Sequence, residues 1–219
     1  MQDNKAILET DNTYHIYNRA NGNEILFLSD NNYQYFFKKY EEYVFPIAHT
    51  LCYCLMPNHF HFLVRVREER KVVDQILNRF SKSGAITKTL QGFQTLEGLP
   101  RQQAISNFLS QQFSHLFNGY SQAFNKQQNR KGKLFMHTFK RKLITDETYM
   151  RKLIHYIHYN PIEAGLTQLP EEWKYASYNS IISLTQTKLL RDEVIGYFGD
   201  MESFKYCHKY PPNQTGINP

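Results

Sequence analysis

The stretch Met56–Val64, MPNHFHFLV, restricts what this chain can fold into more than any other part of it. From His59 the residues alternate: Phe60, Phe62, Val64 and Val66 share one parity, and His59, His61 and Arg65 the other. Period-two alternation is the signature of a β-strand, whose successive side chains point to opposite faces. One face is thereby committed to a core and two imidazoles to the opposite face. Pro57-Asn58 is a turn signal, and the run before it, Ile47 to Met56, is apolar and β-rich. Together they predict an antiparallel hairpin. Imidazoles on alternate strand residues lie about 6.5–7 Å apart at Cα and can converge on one metal ion if a third ligand comes from elsewhere. Without that ligand, two histidines on a half-exposed strand is the simpler account.

The remaining elements follow from the same patterns. Thr13 to Arg19 (TYHIYNR) alternates and predicts a strand. Ser29-Asp30 caps a helix expected from about Asn31 to Tyr43, with Tyr33, Phe36, Phe37 and Tyr40 at helical spacing. A further helix is expected after Glu68-Glu69-Arg70-Lys71. Residues 81–110 read as a variable helical insertion or loop, since Gly84, Gly92, Gly98 and Pro100 interrupt the pattern. A long helix is expected from about Gln102 to Gln128, broken near Asn118-Gly119. Asn129–Lys133 is a basic turn, and Leu134 to Ile144 reads as a fourth strand. Glu171–Tyr178 is an aromatic segment expected to fold back over the domain. Arg191 to Gly199 reads as a short helix, and residues 201–219 as an irregular tail.

One more helix carries chemistry: TDETYMRKLIHYIHYNPIEAGL, from Thr145. Thr145 or Asp146 can cap it. Met150, Leu153, Ile154 and Ile157 form its buried stripe. Pro161 is expected to end it, because the residue before a proline is pushed out of the α region. Tyr156 and Asn160, four apart, share a flank beside that stripe. His155 and Tyr159 are expected nearer solvent, and His158 on the other flank.

Length and composition bound the rest. A chain of 219 residues supports one good core, and residues 1–200 are expected to form a single domain. No apolar window is long enough to span a membrane, and the N-terminal residues lack a signal pattern; a cytoplasmic protein is expected. Three cysteines, Cys52, Cys54 and Cys207, do not make a disulfide framework. A net charge of +6 suggests a polyanionic partner, and 16 Tyr on a basic protein suit stacking on unpaired bases as well as a core. The two basic clusters around the fourth strand are candidate contacts to a phosphate backbone.

Two strand histidines, a helix-borne tyrosine and an amide four residues after it have the logic of phosphodiester transesterification. His59, His61 and the carbonyl oxygen of Asn160 would hold one divalent cation, Mg²⁺ or Mn²⁺. The ion would polarise the scissile phosphate. Tyr156 would attack it, and the phosphotyrosine ester would keep the phosphodiester reversible.

These residues resemble the single-tyrosine HUH transposases, and within them the REP-associated tyrosine transposase branch. The matching stretches are TYHIYNRANGNE, LMPNHFHFLV, RKGKLFMHTFKRKLI and YIHYNPIEAGL, in that order, with EEWKYASY after them. The resemblance covers roughly residues 13–200 and is weakest over 81–110. It implies an α+β, ferredoxin-like fold, with a central antiparallel sheet packed by helices and the HUH motif on a central strand. It implies cleavage and joining of single-stranded DNA through a 5′-phosphotyrosine, next to a recognised hairpin. By motif position His59 and His61 are metal ligands, Tyr156 the nucleophile and Asn160 the third ligand; Asn stands where relatives outside this branch carry Gln. Candidate DNA contacts are Arg19, Arg130, Lys131 and Lys133, followed by Lys140, Arg141 and Lys142. A bacterial protein with no small-molecule cofactor, monomeric or homodimeric, is implied.

Two rival readings remain at this level. One is a domesticated or non-catalytic DNA-binding protein that keeps the fold. The other is a structural zinc site built from Cys52, Cys54, His59 and His61, whose ligand types suit Zn²⁺.

Overall fold

The computed structural model describes residues 5–82, 98–210 and 217. Strand β1 (Thr13–Arg19) is followed by helix α1 (Asp30–Tyr43), the hairpin β2 (Ala48–Met56) and β3 (His59–Val66), helices α2 (Glu69–Lys82) and α3 (Gly98–Gln127), and strand β4 (Lys140–Ile144). Helix α4 (Glu147–Glu163) comes next. A short 3₁₀ turn (Pro170–Glu172) and helices α5 (Tyr178–Ile182), α6 (Arg191–Gly196) and α7 (Met201–Lys209) close the chain. The sheet is antiparallel in the order β2-β3-β1-β4. The expected α+β class is therefore borne out, with the connection order of a ferredoxin-like sheet. β3, which carries both histidines, is an interior strand.

Both faces of the sheet are covered. On one side Tyr14 and Ile16 of β1 and Phe60, Phe62 and Val64 of β3 pack with Phe36 and Tyr40 of α1 and with Phe113, Phe117 and Tyr120 of α3. On the other, Leu51, Cys52, Cys54 and Leu63 pack against Leu153, Ile154 and Ile157 of α4, and Val194 and Phe204 close this second core. A register shift between Thr50 and Cys52 lets the adjacent Leu51 and Cys52 face the same layer. The histidine face is thus roofed by a helix rather than open to water.

The aromatic segment after α4 does fold back. Ser177 N–H donates to Tyr53 O at 2.9 Å, Leu55 N–H to Tyr175 O at 3.0 Å and the Trp173 indole N–H to Leu55 O at 3.0 Å. These bonds cover the outer edge of β2, which would otherwise present unpaired backbone groups.

Several boundaries depart from the sequence expectations. The fourth strand is only Lys140–Ile144; Leu134–Phe139 is irregular and meets the chain just beyond β1 through a bridge between Ala20 and Phe135. Helix α3 runs through Asn118-Gly119 unbroken. A helical glycine costs roughly 1 kcal/mol relative to alanine, and burial of Phe117 and Tyr120 on either side outweighs it. Pro161 lies inside α4. Its ring sits in the last turn, and the helix stops at Gly165, whose φ of +69° closes a Schellman cap with Leu166 N–H on Pro161 O and Gly165 N–H on Ile162 O. The C-terminal residues 201–209, expected to be irregular, form α7, capped by Asp200 accepting from Ser203 N–H. Within 81–110, residues to Lys82 belong to α2 and residues from Gly98 to α3; positions 83–97 lie outside the described residues.

Candidate active site

Antiparallel pairing decides which side chains share the histidine face. β1 opposes β3 with Tyr17 across from His61 and Arg19 across from His59, so His15, Tyr17 and Arg19 stand on that same face. Opposite them, α4 is anchored by its apolar stripe and capped by Asp146, whose carboxylate accepts from Tyr149 N–H at 2.6 Å. That anchoring turns Tyr156 and Asn160 down onto the imidazoles.

The four residues expected to form the site do come together. The ring centroids of His61 and Tyr156 are 5.4 Å apart, edge to face. Asn160 Oδ1 lies 3.1 Å from His59 Nε2. Asn160 Nδ2 donates to the carbonyl oxygen of Tyr156, one helical turn back, at 2.9 Å, which fixes the amide with its oxygen toward the histidine. A cavity of about 500 Å³ opens beside them, lined by Tyr17, Arg19, His59, His61, Lys140 and Tyr156 among others.

His59 meets two amide oxygens: Asn58 Oδ1 at 2.7 Å from Nδ1, and Asn160 Oδ1 at 3.1 Å from Nε2. A neutral imidazole has one N–H. With that proton on the shorter contact to Asn58, the Nε2 lone pair faces the Asn160 oxygen. His61 Nδ1 contacts His15 Nε2 at 2.9 Å, and its Nε2 is buried without a hydrogen-bond partner. If His61 donates from Nδ1, Nε2 is a second bare lone pair. Burial holds all three imidazoles neutral: it pushes His15 down to about 3, His59 below the ordinary 6.5 and His61 well below it. In those tautomers His59 Nε2, His61 Nε2 and Asn160 Oδ1 are all acceptors, a donor set that fits a cation, and Asn58 and His15 hold the two imidazoles from behind.

Tyr156 is 7 % exposed. Burial pushes its phenol up to about 12, against a smaller opposing effect of the Asn160 amide.

The basic candidates divide. Arg19 and Lys140 line the cavity, with the Lys140 ammonium 5.4 Å from the Tyr17 ring centre. Lys142 lies over the Tyr149 ring and donates to its hydroxyl at 2.7 Å. Lys133 and Arg141 line a neighbouring cavity. Arg130 is pinned by an ion pair to Glu24 at 2.6 Å, away from the site, and Lys131 is an exposed turn residue lining neither cavity.

His15, Tyr17, Asn58 and His137 belong to the site's surroundings and were not singled out in the sequence. For His15 and Tyr17 the signal was present, since the alternation of TYHIYNR puts both on one face with Arg19. What was missing was the register joining β1 to β3.

His155, expected nearer solvent, is 3 % exposed, because α7 covers that side of α4. His158 is likewise buried, accepting or donating between Ser177 Oγ at 2.8 Å and His208 Nε2 at 2.9 Å. The cysteines make no zinc site. Among the described residues no three His, Cys, Asp or Glu side chains gather as a metal-binding group. Cys52 and Cys54 are buried in the second core, where burial pushes both thiols up.

The site thus joins an antiparallel α+β sheet, whose interior strand carries a histidine pair, to a helix carrying Tyr-x₃-Asn. No protein-family model matches the chain. It has a curated homologue in Haemophilus influenzae, named "Putative REP-associated tyrosine transposase", 24% identical over 130 residues that make up 59% of this chain and 58% of the relative. The match thus spans less than two thirds of that relative's length. The resemblance read from the motifs is borne out by this homologue. A solved structure described as "Structure of the REP associates tyrosine transposase bound to a REP hairpin" is similar with a TM-score of 0.48 at 10% identity, over 83% of this chain and 85% of the other. Among the described residues no helix is long and apolar enough to cross a membrane.

Proposed function

We propose that this chain cleaves and rejoins single-stranded DNA beside a hairpin, with Tyr156 as the nucleophile. The convergence of a strand histidine pair with a helix-borne tyrosine and amide, at one basic cavity, is the observation that carries this reading.

The step balances as a transesterification. Tyr156 Oη forms a bond to phosphorus, and the bond from phosphorus to the 3′ oxygen breaks. The phenolic proton goes to a solvent base, and the departing oxygen takes up a proton as a free 3′-OH. The DNA remains joined to the protein through a 5′-phosphotyrosine, and the reverse reaction reseals it without an external energy source. His59, His61 and Asn160 would hold a divalent cation, Mg²⁺ or Mn²⁺, which when bound supplies Lewis acidity at the phosphate and favours the phenolate. Arg19 and Lys140 set positive charge where phosphate oxygens arrive. Asn58 and His15 orient the two ligand imidazoles.

The test is a denaturing gel after incubation with a hairpin oligonucleotide carrying a single-stranded flank, with Mn²⁺. A covalent protein–DNA band is expected from the unaltered chain and none from Tyr156→Phe, which should still bind the DNA. Absence of the band with every divalent ion tried would leave only a non-cleaving DNA-binding protein. A band that persists in Tyr156→Phe would move the nucleophile to Tyr149 or Tyr159.

A further inference from the structure

The back of α4 carries a buried row of hydrogen bonds that the candidate active site does not use. His158 lies on a different flank from Tyr156 and Asn160, two residues from each. Its Nε2 is 2.8 Å from Ser177 Oγ, and its Nδ1 is 2.9 Å from His208 Nε2. Ser177 is in turn bound to β2: its Oγ accepts from Tyr53 N–H at 2.8 Å, and its N–H donates to Tyr53 O at 2.9 Å. His208, on α7, has its Nδ1 2.8 Å from Phe204 O. His158, Ser177 and His208 are each at most 1 % exposed.

A single arrangement of protons satisfies this row. A carbonyl oxygen can only accept, so His208 Nδ1 carries its proton and donates to Phe204 O. Among the described residues neither ring has a carboxylate partner, and rings so buried stay neutral with one N–H each. His208 Nε2 is therefore an acceptor, and His158 Nδ1 donates to it. His158 Nε2 is then an acceptor too, and the Ser177 hydroxyl donates to it. The other acceptor within reach of that hydroxyl, Tyr53 O at 3.2 Å, already takes the Ser177 N–H. Every donor thus points the same way, from β2 through Ser177 and His158 to α7. His155 packs against His208 in the same cluster, but neither of its nitrogens has a hydrogen-bond partner, and it adds no link.

Tyr156 and Asn160 stand on the other side of the same helix. Tyr53 adjoins Cys54, which pairs with His61 across the hairpin, so the row ties α4 to the strand pair that carries His61. The apolar packing of Leu153, Ile154 and Ile157 holds the helix down on the sheet, but such packing is non-directional and resists rotation about the helix axis weakly. Hydrogen bonds are directional. A side-chain tip stands roughly 6 Å from a helix axis, so a rotation of about 10° carries it about 1 Å. A misplacement of about that size can cost about a hundredfold in rate.

We propose that Ser177 and His208, acting through His158, are positioning residues that set the rotation of α4 and so the approach of Tyr156 and Asn160 to the histidine strand. This rests on the catalytic reading of the site and adds to it the means by which β2 and α7 fix its geometry.

Two measurements on the full chain test the proposal. In ¹⁵N–¹H correlation spectra of the imidazoles without DNA, His158 and His208 are both expected as Nδ1–H tautomers. An Nε2–H tautomer at either would break the row and overturn the proposal. The second measurement is the single-turnover rate of covalent adduct formation at saturating DNA with Mn²⁺, taken beside Kd, on a hairpin oligonucleotide with an unpaired flank. Ser177→Ala is expected to slow adduct formation by about tenfold or more while Kd stays within about twofold. Ser177→Thr, which keeps the hydroxyl, should recover most of the rate. His208→Leu should slow the step likewise, and His208→Gln, whose amide oxygen can accept from His158, should recover it; this pair decides the matter if Ser177→Ala does not fold. His155→Phe takes a histidine from the cluster without breaking a link and is expected to leave the rate unchanged. Unaltered rates in the folded Ser177→Ala and His208→Leu proteins would overturn the proposal and leave the catalytic reading standing. So would a loss in His155→Phe equal to theirs, because packing alone would then account for it. If the unaltered chain forms no adduct, the catalytic reading falls and the positioning role falls with it.

Discussion

Nε2 of His59 and Oδ1 of Asn160 stand 3.1 Å apart across 101 residues of chain, one on an interior strand and the other on the helix that roofs it. Neither atom has a proton to give once Asn58 holds His59 Nδ1. The contact is stable without help only if the ring charges or an amide turns over, and burial opposes the charge. The proposed cation would satisfy both acceptors.

Cation binding should therefore depend on Asn160 and on the strand histidines, His61 among them. Mn²⁺ titration followed by electron paramagnetic resonance is expected to show one site in the unaltered chain and at least a tenfold weaker one in Asn160→Ala and in His61→Ala. Those losses should occur with the helix content unchanged in far-ultraviolet circular dichroism. An unaltered Mn²⁺ isotherm in both variants would remove the site from these residues.

Tyr156 should titrate late. Its folded-state pKa is raised by burial to about 12, above the ordinary 10. The neutral phenol is favoured in the fold, so its contribution to stability is present below pH 10 and fades as pH rises toward 12. The difference in absorbance at 295 nm between the unaltered chain and Tyr156→Phe, without divalent ions, should show ionisation only above pH 10. Ionisation near or below pH 10 would contradict the buried environment.

The histidines beneath α7 should make the fold acid-sensitive. Burial holds His155 at about 4 and His208 at about 3, and His158 well below 6.5. The unfolded chain binds these protons near 6.5 and the folded one does not, so stability is full above that pH and falls as pH drops from 6.5 toward 4. Each such histidine removes on the order of 2 kcal/mol at pH 5. Thermal melting is expected to fall steadily from pH 7 to pH 5, and His208→Phe should lessen the slope. A melting temperature unchanged over that range would show that the cluster takes up protons while folded.

Charge removal should separate the basic residues. Arg19→Ala and Lys140→Ala are each expected to lower the salt slope of single-strand binding by about 0.7. Arg130→Ala breaks a half-exposed ion pair with Glu24 and should cost about 1 kcal/mol of stability or less, with the slope intact. A slope that falls in Arg130→Ala as much as in the other two would place that arginine on the DNA.

The buried apolar stripe of α4 sets the depth at which Tyr156 meets the strand. Leu153 is fully buried in it, and Leu153→Ala is expected to cost about 2–5 kcal/mol, read as a lower urea midpoint at unchanged slope. A cost under about 1 kcal/mol would mean that this layer does not anchor the helix.

Local periodicity determined much of this protein. The alternation around His59 set a strand with its histidines on one face, and β1 and the β2–β3 hairpin follow the expected bounds closely. The four-residue step from Tyr156 to Asn160 put both on one flank of a helix. These are short-range properties, set by side-chain direction along a single element. Element ends were less legible where long-range packing outweighed a local breaker. Gly119 is carried through by the aromatic stripe on either side, and Pro161 is tolerated in a last turn that Gly165 closes. Only the tertiary structure decided the partners. The register of β1 on β3 brings His15 behind His61, and α7 buries His155 and His158, which helical spacing alone directs elsewhere. Which face meets which is fixed by contacts between residues far apart in the chain, and no local pattern records them.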